Sequence, residues 1–168
     1  MQQTTLCFLV RSDPPRQVLL GLKKHGFGAG KYGGIGGKVA PGETVVEAAA
    51  REMAEETGVT VSAEDLRPAG SVWFLFPARP EWSQVMHLLL ASRWQGEPAE
   101  SAEVIPVWFD VTKVPYQQMW PDAVYWLPRI LAGERVYLRF VYAEDNETLA
   151  AGPEEWAYAP GPPEWHRP

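Results

Sequence analysis

Residues Gly37 to Val59, GKVAPGETVVEAAAREMAEETGV, decide how this chain is read. Gly37 is followed after five residues by Glu43, and after seven more by the run Arg51-Glu52-Met53-Ala54-Glu55-Glu56-Thr57-Gly58-Val59. Thr44 stands three residues before Glu47, the spacing of a capping box, so a helix is expected to start there. Ala48, Ala49, Ala50 and Ala54 favour that helix, and Gly58 suits a left-handed stop. At about 100° per residue, Val46, Ala49, Ala50, Met53 and Thr57 form one stripe. Glu52, Glu55 and Glu56 form an adjacent face, because positions three and four apart are neighbours on a helix. Arg51 lies four residues from both Glu47 and Glu55. It is expected to pair with those two and leave Glu52 and Glu56 unpaired.

Three carboxylates within a turn of helix repel one another unless a cation neutralises them. Oxygen ligands favour a hard ion such as Mg²⁺, with Mn²⁺ as an alternative, and such ions go with phosphate-bearing substrates. A solvated acidic face is the plainer explanation of an isolated ExxEE. Here the glycines, Glu43, Arg51 and Gly58 stand at fixed offsets from the acids. The stretch resembles the Nudix box and matches its signature at every defined position. That resemblance implies an α/β/α sandwich with a mixed sheet and an acidic helix. It also implies divalent-metal dependence and hydrolysis of a nucleoside diphosphate linked to another group.

Upstream, Thr4–Val10 and Gln17–Lys23 read as strands joined through a turn at Asp13-Pro14-Pro15. Between His25 and Gly37 there are seven glycines in thirteen residues. Gly28 to Gly33 fits G-x-G-x-x-G, but no helix follows as a dinucleotide site requires, and neither Lys31 nor Lys38 completes a P-loop. Downstream, Ala69–Phe76 and Val85–Trp94 read as a hairpin, and Val104–Asp110 as a short strand whose pairing Pro106 limits. A second helix is expected over Pro121–Leu131, bent or interrupted at Pro128, and a last strand over Arg135–Tyr142. This assigns residues 1–142 to the domain. Residues 143–168 form an acidic, proline-rich tail with Trp156, Tyr158 and Trp165, expected to drape over the domain or be partly mobile.

The chain has 168 residues, 46% of them hydrophobic, which suits one globular domain. A formal charge of −6 disfavours a nucleic-acid polymer or an anionic membrane as partner. With one cysteine, Cys7, no internal disulfide can form; it reads as a buried strand residue. The N-terminus lacks the features of a signal peptide, and no apolar run approaches membrane length. A cytoplasmic monomer is the expectation. His25 and His87 stand apart from each other and from Cys7, so neither suggests a metal cluster, and no G-x-S-x-G marks a serine nucleophile.

Beyond the box, the chain is similar to the branch that hydrolyses oxidised purine nucleoside triphosphates, related to the MutT proteins. The residues that carry this are Val18 to Gly30, Gly36-Gly37-Lys38-Val39, Val107-Trp108-Phe109, Met119-Trp120-Pro121-Asp122 and Tyr125-Trp126. The resemblance implies metal ligation by Glu52, Glu55, Glu56, the Gly37 carbonyl and Glu103. It implies a general base in Glu56, with Glu103 as rival, and Arg51 holding the carboxylates. A purine needs flat apolar walls and polar groups at its edge. Phe27, Phe74, Trp120 and Trp126 are candidate walls and Asp122 the edge reader. Lys23, Lys38 and Gly36 belong to the same expected substrate site. Two positions depart from the branch: Ala123 stands where it has a second aspartate, and Gly33 where it has asparagine. A lone ionised Asp122 accepts hydrogen bonds only, which suits the N1–H and exocyclic amine of guanine. The expected substrate is therefore 8-oxo-dGTP in preference to 2-oxo-dATP. ADP-ribose or a dinucleoside polyphosphate stays open as substrate. So does a non-catalytic nucleotide-binding module, which would be expected to lack a box carboxylate or Arg51.

Overall fold

A computed structural model describes residues 1–157. The chain folds as β1 (Gln2–Arg11), β2 (Gln17–Lys23), β3 (Tyr32–Gly33), α1 (Val45–Thr57), β4 (Arg67–Leu75), β5 (Gln84–Ala91), β6 (Val104–Asp110), α2 (Ala123–Leu131), β7 (Val136–Tyr142) and β8 (Leu149–Glu155). The sheet order is β3-β2-β1-β5-β4-β7-β8, with β6 on β2. β1 with β5 and β4 with β7 are parallel, and the other pairs are antiparallel, so the sheet is mixed as expected.

The two faces of the sheet follow from strand alternation. In β1, Phe8 and Val10 pack into the cluster that holds Trp126, Leu127 and Ile130 of α2. Cys7 and Leu9 point the other way, into the cluster that holds Ala49 and Met53 of α1. One helix thus covers each face. Truncating the fully buried Met53 to alanine would cost roughly 2–5 kcal/mol. Among the described residues no helix is long and apolar enough to cross a membrane.

The feature that creates the site is a parting of β1 from β2. They pair only at Val10 with Val18 and Arg11 with Gln17. Beyond that point the glycine-rich segment takes over the β1 edge. The Cys7 N–H donates to the Ile35 carbonyl at 2.7 Å, the Thr5 N–H to the Gly37 carbonyl at 2.8 Å, and the Val39 N–H to the Gln3 carbonyl at 3.0 Å. A side chain on Gly36 could not be accommodated there, since its Cβ would lie 1.8 Å from the Thr5 carbonyl oxygen.

Two sequence expectations need amendment. The strand ending at Tyr142 is followed by another, β8, which pairs antiparallel with β7. Its residues LAAGPEE have little strand propensity, and tertiary pairing overrides that preference. Trp156 then packs edge-on against Trp73, with centroids 5.7 Å apart. Tyr158 and Trp165 lie outside the described residues. α2 continues through Pro128 to Leu131 without interruption, because its buried face, Trp126, Leu127, Ile130 and Leu131, holds it to the sheet. β6 has the expected bounds, and its pairing is limited as Pro106 implies: among the described residues it pairs along its length with β2 and with no second strand.

Candidate active site

α1 forms as its sequence requires. The Thr44 hydroxyl accepts from the Glu47 N–H, the Glu47 carboxylate accepts from the Thr44 N–H, and Gly58 closes the helix at φ 78°. The capping box settles the partners of Arg51. Glu47 is committed to the helix start, so Arg51 does not pair with it, against the expectation from four-residue spacing. Its guanidinium instead forks onto Glu43 at 2.7 and 2.9 Å, reaches Glu52 at 2.9 Å and Glu55 at 3.3 Å, and donates to the Lys38 carbonyl at 3.0 Å. Glu52 is therefore paired, again unlike the expectation. One planar cation ties the loop before α1 to two acids on the helix. It holds the Glu43 carboxyl down to about 2.

Glu56 lies deeper, 8% exposed. Burial pushes its carboxyl up to about 7; Glu52 and Glu103 add to the rise, while the Gly36 N–H and the charge of Lys23 oppose it. A carboxylate thus burdened by two others is a site where a cation would be stabilised. Gly37 leaves bare backbone beside this cluster, since a Cβ there would come 2.4 Å from Glu52 Oε1. Among the described residues, no three Asp, Glu, His or Cys side chains already converge on one point. The hard oxygen donors of Glu52, Glu55 and Glu56 still suit a divalent ion in composition, and the Gly37 carbonyl, which already accepts from the Thr5 N–H, would add a donor through its second lone pair. Bringing them together would loosen the grip of Arg51 on Glu52 or Glu55.

Next to the acids opens a cavity of about 400 Å³. Its wall includes Lys23, Gly36, Gly37, Lys38 and Glu56 at one end, and Phe27, Phe74, Trp120, Asp122 and Trp126 at the other. Arg51, Glu52, Glu55 and Glu103 stand outside that wall, around the acid cluster. Two of the expected purine walls cover one another: Phe27 stacks on Trp120 with centroids 4.9 Å apart at 20°, leaving no room for a ring between them. The glycine loop permits this close approach, as a Cβ on Gly28 would sit 3.0 Å from Trp120 Nε1.

Asp122 is buried at the far end. The Trp126 indole N–H donates to its Oδ2 at 2.7 Å, and the Tyr142 hydroxyl donates to its Oδ1. Burial pushes its carboxyl above the ordinary range, and those two donors pull in the opposite direction. Ala123, also buried, lines the cavity beside it.

Several lining residues were not anticipated. Phe76 lies two residues from Phe74, and strand period alone would have set it on the same face. Trp82 meets Phe27 edge-on at 5.0 Å, and Tyr142 stacks on Phe76 at 4.4 Å. Nothing local in the sequence marks Tyr142 as the donor to Asp122, which is twenty residues away. His87 is a satisfied strand residue, as expected: its Nε2 faces Gln3 Oε1 at 2.7 Å and its Nδ1 faces the Ser71 hydroxyl at 3.2 Å. Cys7 is buried, and burial pushes its thiol up to about 12.

Sheet order, the capped acidic helix and the aromatic cavity beside it define a Nudix protein: residues 1–130 match the NUDIX domain family, and the chain belongs to it. Among its relatives, an oxidized purine nucleoside triphosphate hydrolase of Danio rerio is 46% identical over 142 residues, covering 83% of this chain and 89% of the relative. The Mus musculus protein of the same name is 40% identical, covering 89% and 93%. Of solved structures, a MutT protein from Bacillus halodurans aligns with a TM-score of 0.76 and 26% identity, covering 90% of this chain and 95% of that one.

Proposed function

We propose that this chain hydrolyses oxidised purine nucleoside triphosphates, 8-oxo-dGTP foremost, to the monophosphate and pyrophosphate. The observation that carries the reading is continuity. One cavity runs from the buried Glu56 at the acid cluster, through aromatic walls, to a buried carboxylate with a single aspartate. The purine triphosphate hydrolases of fish and mouse support the substrate class.

In this reading the base enters beside the Phe27–Trp120 pair, against Phe74 and Trp126, and Asp122 accepts from the guanine edge. Lys23 and Lys38 meet phosphate charge. Water attacks the β-phosphorus, the bond from that phosphorus to the bridging oxygen breaks, and the nucleoside monophosphate leaves. Glu56 takes the proton from that water, with Glu103 as the competing base. Arg51 keeps Glu52 and Glu55 in position. A divalent ion, Mg²⁺ or Mn²⁺, would be held by Glu52, Glu55, Glu56, the Gly37 carbonyl and Glu103; when bound it offsets phosphate charge and makes water more acidic.

The test is a panel with Mg²⁺ of 8-oxo-dGTP, 2-oxo-dATP, dGTP, dATP, ADP-ribose and a diadenosine polyphosphate. The expected outcome is the highest kcat/KM for 8-oxo-dGTP; a preference for ADP-ribose or the dinucleotide would refute the substrate class. Glu56→Gln is expected to lose about 10²–10⁴ in kcat. Ala123→Asp, which sets a second carboxylate into the cavity, is expected to raise 2-oxo-dATP turnover relative to 8-oxo-dGTP. An unchanged ratio would remove the specificity argument.

A further inference from the structure

Lys24 follows the last residue of β2 and does not line the cavity, yet together with its neighbour His25 it holds four consecutive residues of another segment. The Lys24 N–H donates to the Glu103 carbonyl at 2.9 Å. Its ammonium donates to the Ser101 carbonyl at 2.7 Å and pairs with the Glu100 carboxylate at 2.5 Å. His25 Nε2 lies 2.9 Å from the Ala102 carbonyl, and a carbonyl only accepts, so Nε2 carries the hydrogen. The Ser101 hydroxyl adds a local turn, accepting from the N–H groups of Glu103 and Val104 at 3.2 and 3.4 Å.

Residues 100–103 belong to no helix or strand; beside the bond from the Ser101 N–H to the Val104 carbonyl and the β2–β6 ladder that starts at Val104, these contacts orient them. The Lys24 and Glu100 side chains are 27% and 57% exposed. An ion pair that open contributes little to folding. Its consequence is geometric, because the segment delivers Glu103 to the acid cluster, where its charge acts on Glu56.

We propose that Lys24 is a positioning residue, which through the Ser101 carbonyl and the Glu100 carboxylate holds Glu103 at the hydrolytic site. This rests on the reading above that Glu103 serves that site. Lys24 touches no substrate in this arrangement, so its loss falls on turnover and on metal binding rather than on nucleotide affinity.

The experiment compares the full-length parent, Lys24→Met, Lys24→Arg, Glu103→Gln and the Lys24→Met/Glu103→Gln double variant. Turnover of 8-oxo-dGTP is measured beside binding of Mn²⁺ alone, followed by electron paramagnetic resonance, and thermal melting. Lys24→Met is expected to lower kcat about tenfold, leave KM within about twofold, weaken Mn²⁺ binding and leave the melt close to the parent. Lys24→Arg is expected to recover most of both losses, and the double variant to be no worse than Glu103→Gln. Multiplied losses in the double variant, or an effect confined to KM, would overturn the role of Lys24 and leave that of Glu103 standing. A Glu103→Gln protein with parental turnover and Mn²⁺ binding would instead overturn the underlying reading of Glu103, and the role of Lys24 with it.

Discussion

Asp122 shows how much a single side chain can depend on distant ones. Its type and its place after Trp120-Pro121 were visible in the sequence, but its burial and its bonds to Trp126 and Tyr142 were not. Burial, the larger influence, raises its folded-state pKa above the ordinary carboxylate value. Between those two values the folded chain keeps a proton that the unfolded chain has released. Stability from this group is therefore fully present below the ordinary carboxylate pKa and lost as pH rises through the folded value. An asparagine in its place cannot ionise, and any fixed change in hydrogen bonding is the same at every pH. The melting temperature of Asp122→Asn relative to the parent is thus expected to climb as pH is raised from about 4 towards neutrality. A flat or falling difference across calorimetric scans would contradict this. Arg51 carries the same lesson: spacing correctly gave Glu55 as a partner, but Glu43 entered from outside the helix and Glu47 was withdrawn by the cap.

Among elements, the start and stop of α1 were legible because their signals are local: cap, alanines and terminal glycine all lie within the helix or one residue beyond it. The glycine-rich segment was legible only as a loop. Its role as an edge partner of β1 comes from hydrogen bonds to a strand some thirty residues earlier, which no local pattern encodes. Adjacent glycines there are expected to fail differently. Gly36→Ala sets a Cβ against the Thr5 backbone, which cannot swing aside, and is expected to cost roughly 3 kcal/mol in urea unfolding. Gly37→Ala meets the end of the Glu52 side chain instead, which can move. That variant is expected to keep most of its stability and lose turnover, so equal destabilisation of the two would contradict the packing argument.

At the scale of the whole molecule, the sheet ends on β8, a strand that its composition concealed. Exposed ion pairs such as Arg129–Glu155 contribute under about 1 kcal/mol each. The larger effects are the covered edge of β7 and the cover of Trp73 by Trp156. We propose that residues 143–157 act as an adjunct of the domain, supporting its fold rather than its chemistry. A chain ended at Tyr142 is expected to lose about 2–3 kcal/mol by uncovering one large side chain and a strand edge, roughly 4–12 °C in Tm, with kcat on 8-oxo-dGTP little changed at low temperature. An unaltered melt, or lost turnover in a chain that still folds, would count against that role.

The acid-bearing helix and the strand alternation were determined by the sequence, because each is set by chemistry repeating within a few residues. The tertiary structure alone decided which carboxylates Arg51 grips, that Phe27 lies flat on Trp120, that Tyr142 feeds Asp122, and that Lys24 holds the Glu103 segment. These contacts join groups far apart in the chain. They exist only because the parting of β1 from β2 leaves an opening into which separate elements can reach.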